Sequence, residues 1–501
     1  MSRLLTQALA LLQVPLGYHN QDTAYGESRA ITTRAQNSPV ASEVLPPKPS
    51  TQWQNDRYDP YICESNGENG CWFPSVVEEG PPYMGVESWP ARSKECVIPA
   101  GGDPDGDDSP AILDAFYECR EDGHIVFQET TYYISKIMNT TGLRDVDVEI
   151  RGTLLWDKNI DYWLANSMPI GFQNQTAAWH IGGENLHIYG HGRGELNGNG
   201  QVWYDFAKGV SNIHGRPHAL LITNTKNSVV EGLRFVQSQM WTMTIARSEK
   251  VLLQDIYISS TSTNPDVRSN VNTDGADTVY ANNITFLRWD VTNGDDSISM
   301  KQNSTNIYIA NCTFHAGSGL AMGSIGQYPG QIEVIENVTA VDIKFVRTGR
   351  AGWIKSWVGE NRGYPPNGGG GGVGWAKNIT FRDFDLDHVA MAWLITQCTF
   401  YDGPENANAP VLEKSTSPNC SSSRFQISDL NWGDTRGTLN GNRVAALSCS
   451  GAAPCTGVNI FNNQLTAADS GNPSEEYLCD AVQDPSGFEC TRPCNGDCPR
   501  S

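Results

Sequence analysis

The sequence predicts an all-β protein folded as a single-stranded, right-handed parallel β-helix. Three observations predict it. Short β-prone runs recur along the chain: DVEIRGTLLW, WHIGGENLHIYG, TMTIARSEKVLLQDIYIS, TNIYIANCTF, KNITFRDFDLDHV. Comparable starts fall at Asn185, Asn227, Lys250, Asn283, Asn306, Asn337 and Asn378, and the shorter steps between them are 23 residues. Helical periodicity is almost absent. Short strands recurring at such a period are the mark of a solenoid, in which each coil stacks on the last. A sandwich would show hairpin dipeptides every ~8–12 residues instead.

The elements follow in order. Residues 1–18 resemble a signal peptide, with Arg3 ahead of a Leu/Ala-rich stretch, although Thr6 and Gln7 interrupt it. Residues 19–90 are polar and Pro-rich and read as an irregular extension, with Cys63 and Cys71 close enough to pin it. The stretch from Asp107 carries Pro110 in a first helical turn and an apolar face ending near Cys119. It predicts a short helix covering the open end of the first coil. The β-helix is expected over 91–440. Residues 441–501, loop-rich and Cys-rich, are expected to lie against it as a stapled tail.

The bulk properties narrow the partners. A net charge of −21 repels nucleic acid, and no Lys/Arg stripe offsets it. No apolar run is long enough to span a membrane. A soluble monomer is expected, with neither nucleic acid nor membrane as partner. A polyanionic substrate would also be repelled, so any acidic sugar needs local cations. Thirteen cysteines cluster as Cys63 with Cys71, Cys96 with Cys119, Cys398 with Cys420, Cys449 with Cys455, and then Cys479, Cys490, Cys494 and Cys498. Such clusters predict disulfide-closed loops in an oxidising compartment. Cys312, in an apolar strand, is the leftover thiol. Paired CxxC elements are absent, so no zinc site, other metal or cofactor is expected. Eight N-x-S/T sequons, at Asn139, Asn174, Asn283, Asn303, Asn311, Asn337, Asn378 and Asn419, join the cysteines in predicting an extracellular eukaryotic protein.

Two motifs carry candidate chemistry: Asn272-Thr273-Asp274-Gly275-Ala276-Asp277 and Asn293-Gly294-Asp295-Asp296. Asp274 and Asp295 are 21 positions apart, one coil, and are expected to sit nearly above one another. Glycosidic cleavage needs an acid for the leaving oxygen and a base for water. Carboxylates on stacked coils supply both, and their repulsion keeps at least one protonated. Adjacent Asp295 and Asp296 face one cleft only at a bend or bulge, which Gly294 permits. The bland reading, that Asp, Asn and Gly fill turns, would win for either motif alone.

With these motifs the chain resembles glycoside hydrolase family 28, the polygalacturonases, from about 90 to 400. The family's NTD motif is met by Asn272-Thr-Asp274 and its GDD motif by Gly294-Asp295-Asp296, followed by Lys301. GELNGNGQVWYD (194–205), Arg216-Pro-His218, Gln239-Met-Trp241 and Gly323-Ser-Ile-Gly-Gln-Tyr328 are similar to landmarks of the family, the last three to its exo-acting fungal members. The resemblance implies a pectin-lyase-like solenoid and inverting hydrolysis. It implies Asp295 as general acid, with Asp274 and Asp296 holding and activating water. Four positions depart from the family pattern, the last two as a pair. Ser318 stands where the family has a His. Trp353-Ile354-Lys355 stands for Arg-Ile-Lys, whose Arg and Lys grip a galacturonate carboxylate. Ser297 and Phe314 replace a cystine.

An indole in place of a guanidinium removes a bidentate carboxylate partner and adds an apolar face for a less polar sugar. The expected substrate is therefore a pectic poly- or oligosaccharide with a terminal L-rhamnose, cleaved in exo fashion, with Lys355 on a galacturonate across the bond. Arg347 and Arg350 are alternative cations. An exo-polygalacturonase is the runner-up. A calcium-dependent pectate-lyase-type enzyme and a non-catalytic carbohydrate-binding β-helix remain from other classes. Asp277 either orients the cleft or satisfies a turn. Tyr328 either lines the cleft or packs the coil, and His218 reads as a packed histidine. The glycine-rich insertion at 363–374 either walls off one cleft end or is a loose surface loop.

Overall fold

The computed structural model describes residues 33–35, 91–264, 269–365, 368–400 and 419–498. The suggested signal peptide, the Cys63–Cys71 pair and nearly all of the N-terminal extension lie outside them.

The architecture is all-β with parallel pairing. Three short helices, Ser109–Glu118, Ile160–Asn166 and Gly200–Ala207, are the helical elements among the described residues. One ladder runs Pro217–Thr223, Met243–Ala246, Ala276–Val279, Asp296–Met300, Gly319–Ile325, Gly352–Trp357, Trp393–Thr399, Arg443–Ser448 and Glu476–Asp480, each strand parallel to the next. A second runs Lys226–Val236, Glu249–Gln254, Asn282–Leu287, Ser304–Ala316, Ile332–Val346, Val373–Val389, Arg424–Leu439 and Cys455–Ala467. The last strands of both ladders lie beyond residue 440. The parallel pairing thus continues through much of the segment expected as a tail, because Val444, Ala445, Leu447, Val458 and Ile460 supply the same inward apolar row as earlier coils.

The recurring starts read from the sequence have a common backbone conformation. Asn185, Asn227, Lys250, Asn283, Asn306, Asn337 and Asn378 all have φ between 47° and 58°. The second ladder's register stacks them rung on rung. Asn adopts this left-handed turn at least cost among non-glycine residues. The amides of Asn282, Asn306, Asn337 and Asn378 also hydrogen-bond in series at 2.7–2.9 Å.

Inward rows fill one continuous core. Ile222, Ile245, Met300, Met322, Ile354, Ile395 and Leu447 lie on one row of the first ladder, with buried Thr278 on the rung between Ile245 and Met300. Farther on, Trp393 and Trp432 stack with centroids 5.2 Å apart. The helix Ser109–Glu118 drives Ile112, Ala115 and Phe116 into the core's N-terminal end, and Phe116 meets Trp179 edge-on at 6.1 Å. Cys119 at its end bonds Cys96. The other described cystines join Cys398 to Cys420, Cys449 to Cys455, Cys479 to Cys490 and Cys494 to Cys498, while Cys312 is free and buried. Residues 486–492 lie over the last coil: Ser486 and Arg492 bridge in parallel to Asn459 and Leu478.

Candidate active site

The aspartates lie where two coils enter the first ladder. Ala276 pairs with Ile298, an offset of 22 residues (298 − 276). The rung of Asp274 is therefore occupied by Asp296, one residue later than the Asp295 expected from the motif spacing. Gly275 N donates to Asp296 O at 2.9 Å across that rung.

A bend at 294–295 brings Asp295 back to its neighbours. Asn293 clasps it: Nδ2 donates to the carbonyls of Thr273 (3.0 Å), Asp295 (2.9 Å) and Asp296 (2.8 Å). Gly294 N donates to Thr273 Oγ1 at 2.9 Å. A Cβ at Gly294 would meet Asn270 O at 2.4 Å, and one at Gly275 would meet Ser297 O at 2.3 Å. Close backbone approach, rather than an unusual φ, requires glycine at both. Asp295 is fixed by Asn272 N on Oδ2 (3.1 Å) and Asp296 N on Oδ1 (3.0 Å). The Asn272 side chain in turn accepts from Asn212 N at 3.0 Å. One oxygen each of Asp274, Asp295 and Asp296 lies within 4.8 Å of the others. Asp274 and Asp296 are buried, and Asp295 is half-buried.

Electrostatics separates the three. Burial alone would raise Asp296, but Lys355 and Lys301 outweigh it and hold this carboxyl below its ordinary value. Lys355 Nζ donates to Asp296 Oδ2 at 2.7 Å, and Lys301 Nζ lies 3.7 Å from the same atom. Asp295 is raised, by burial and then by Asp296. Asp274 is raised well above its usual range, by burial and then by Asp277, Asp295 and Asp296. The cluster thus holds one firmly ionised carboxylate beside two that favour protons, the division acid–base chemistry needs.

The other candidates fall in three places. Asp277, fully buried, meets Lys301 Nζ at 3.1 Å and holds that lysine toward Asp296. Ser318 N donates to Asp295 O at 2.7 Å, one coil on. Trp353 lies on the rung row of Asp277, Ser299 and Ala321, its Nε1 donating to Thr396 Oγ1 at 3.1 Å. The Arg350 guanidinium and the Lys355 ammonium sit 4.0 and 4.3 Å from its ring centroid. Trp353 has 8% of its surface exposed, and its ring faces these two cations. Tyr328 belongs to a separate apolar cluster with Phe172 and Trp241, its hydroxyl accepting from Gln173 N at 3.0 Å. Arg347 is exposed and turned toward Asp387. His218 is a packed histidine, between Thr244 Oγ1 (2.7 Å) and Gln175 Oε1 (2.5 Å). Described residues of the glycine-rich insertion are pinned: Gly370 N donates to Gln327 O at 2.8 Å and Gly372 N to Gly326 O at 3.1 Å.

Two residues gain importance from the structure. Asn293 was visible only as a turn former in its motif. Arg216, read only as a landmark, is fully buried, donates from Nε to Gln239 O at 2.7 Å, and feels the charges of Asp274 and Asp295.

Stacked carboxylates on a parallel β scaffold, with buried lysines dividing their protonation, define a glycoside hydrolase. The chain belongs to glycosyl hydrolases family 28, whose model matches residues 134–488. It is 44% identical over 397 residues to the α-L-rhamnosidase rgxB of Aspergillus niger, covering 79% of this chain and 89% of that one. It is 35% identical over 386 residues to exopolygalacturonase X of Aspergillus niger, covering 76% and 85%. Among solved structures it is similar to the endo-xylogalacturonan hydrolase of Aspergillus tubingensis, with TM-score 0.65 and 25% identity, covering 79% of this chain and 99% of that one.

Proposed function

We propose that this protein is an extracellular, exo-acting, inverting glycosidase that removes terminal α-L-rhamnose from rhamnogalacturonan-type pectic chains. In this reading the parallel ladders close as a right-handed, single-stranded β-helix. The observation that carries it is the carboxylate trio with only Asp296 held ionised. Asp295, the half-buried member, reaches the glycosidic oxygen and protonates it. Asp296 takes the proton of the attacking water, and Asp274, buried beside it, holds that water. The 44% identity to an α-L-rhamnosidase supports rhamnose as the sugar attacked at its anomeric carbon and released. Five cystines among the described residues support an oxidising destination.

The spacing deserves a direct test. Acid and base in inverting enzymes usually stand ~6.5–9.5 Å apart and in retaining ones ~5–5.5 Å, whereas these oxygens come within 4.8 Å. Inversion is favoured because Lys355 engages Asp296 Oδ2 and blunts it as a nucleophile, while Oδ1, buried and unpartnered among the described residues, is left to accept the proton of water. Proton NMR of the first product from a rhamnose-terminated oligosaccharide is expected to show rhamnose with inverted anomeric configuration. Released galacturonate would favour the exo-polygalacturonase reading, which the 35% relative supports. An unsaturated product and loss of rate in chelator would point to a lyase using the trio as a cation site.

A further inference from the structure

We propose that Arg350, seated on the Trp353 ring, reads the uronate carboxylate of the sugar next to the cleaved bond. This rests on the reading of the site as a pectic glycosidase. A protein of net charge −21 repels a uronate-bearing chain, so productive binding needs a cation at the point of contact. Four cations surround the aspartates; two are committed to carboxylates and a third is sealed in the core. Lys301 is held by Asp277 and Asp296. Lys355, the residue expected to take the carboxylate, donates to Asp296 at 2.7 Å. Arg216 is fully buried, with only Nε bonded, to Gln239 O, and its terminal nitrogens are enclosed away from solvent, whereas Arg350 reaches the surface. Arg350 is half-buried and, among the described residues, its guanidinium has no hydrogen-bond or ion-pair partner, Thr348 Oγ1 donating only to its backbone carbonyl. Its charge lies in the field of Asp296 and Asp295.

The fold positions it for the task. Ser318 N bonds Asp295 O, and Gly349 N bonds Gly317 O, so Arg350 stands two coils beyond Asp295 on the same edge. The intervening residue on that edge is Ser318, with a short side chain. The guanidinium carbon lies 4.0 Å from the Trp353 centroid, and Thr396 locks that ring through Nε1. An arginine stacked on an indole keeps its N–H edge free for a bidentate carboxylate. Trp353 is thus the platform for the reading cation.

The test uses the full-length enzyme and paired oligosaccharides, one with native carboxylates and one with them reduced to primary alcohols. Pairs ending in rhamnose and pairs ending in galacturonate are run together. The readout is the acid-to-reduced ratio of kcat/KM. Arg350→Gln is expected to lower this ratio about tenfold or more, chiefly through KM on the acid substrate, and Arg350→Lys to lower it less. A ratio equal to wild type in Arg350→Gln, or equal loss of kcat on both members of a pair, would overturn the proposal. If Arg350→Gln does not fold, the ratio for Arg350→Lys decides alone, and a wild-type value then counts against it. Wild-type release of galacturonate instead of rhamnose would sink the substrate reading, while the ratio would still judge Arg350.

Discussion

Asp274 bears its carboxyl in an inhospitable place, buried among three other aspartates. A carboxyl whose folded pKa is raised contributes stability that is fully present below its unfolded value of about 3.9 and lost as pH rises through the folded value. At neutral pH Asp274 therefore costs stability that it repays in function. Asp274→Asn is expected to raise Tm at pH 7 and leave it nearly unchanged at pH 3.5, while lowering kcat by about 10²–10⁴. Calorimetry at both pH values checks this, and an equal shift at the two would show an ordinary carboxyl. Much at this scale was legible beforehand. The motifs located all three aspartates and both lysines, because those residue types are rare in buried strands. The motif spacing did not reveal that Asp296 shares Asp274's rung, since one residue of offset depends on the bend at 294–295. Nor could it show that Lys355 is spent on Asp296, because side-chain pairing across 59 positions leaves no local signal.

Among the elements, the turn into the ladder is the most sensitive. Gly275 lies between Asp274 and its strand, and a Cβ there would press on Ser297 O at 2.3 Å. Gly275→Ala is expected to displace the bend, costing about 1–3 kcal/mol, and to lower kcat about 100-fold if the carboxylates move by about 1 Å. Gly441, with nothing within 4 Å of an added Cβ, is the control: Gly441→Ala should change neither Tm nor kcat. The repeat itself was readable because one turn in each coil demands a left-handed residue and Asn satisfies it most often. Where Asp or Gly does so instead, at Asp145, Asp429 and Gly457, the same conformation carries no recognisable letter, and those coils were harder to see. The two readings of the insertion at 363–374 divided evenly on sequence, because a glycine run has no side chains to announce its partners. Its backbone hydrogen bonds to Gly326 and Gln327 are what hold it.

For the whole molecule, in the β-helix proposed above, stability is approximately a sum over neighbouring coils, and its ends matter most. At the C-terminal end, residues 486–492 cover the final strands, and Cys479–Cys490 ties them down. Replacing both cysteines with serine should lower stability by about 2–3 kcal/mol, the scale for closing a short loop. It should also produce self-association visible by size-exclusion chromatography, with kcat of the remaining monomer little altered, because the aspartates lie several coils away. The boundary expected near 440 reflected a change in composition. Cysteines and polar loops crowd that region, yet its few apolar residues keep the inward row.

That covered end has a further meaning. A stack of identical rungs has no intrinsic length, and an unsatisfied last strand is a growth face for another copy, as in a fibre. The segment 486–492, hydrogen-bonding to Val458, Ile460, Tyr477 and Cys479, acts as a terminator. That segment is expected to keep an architecture capable of indefinite polymerisation a particle of defined size.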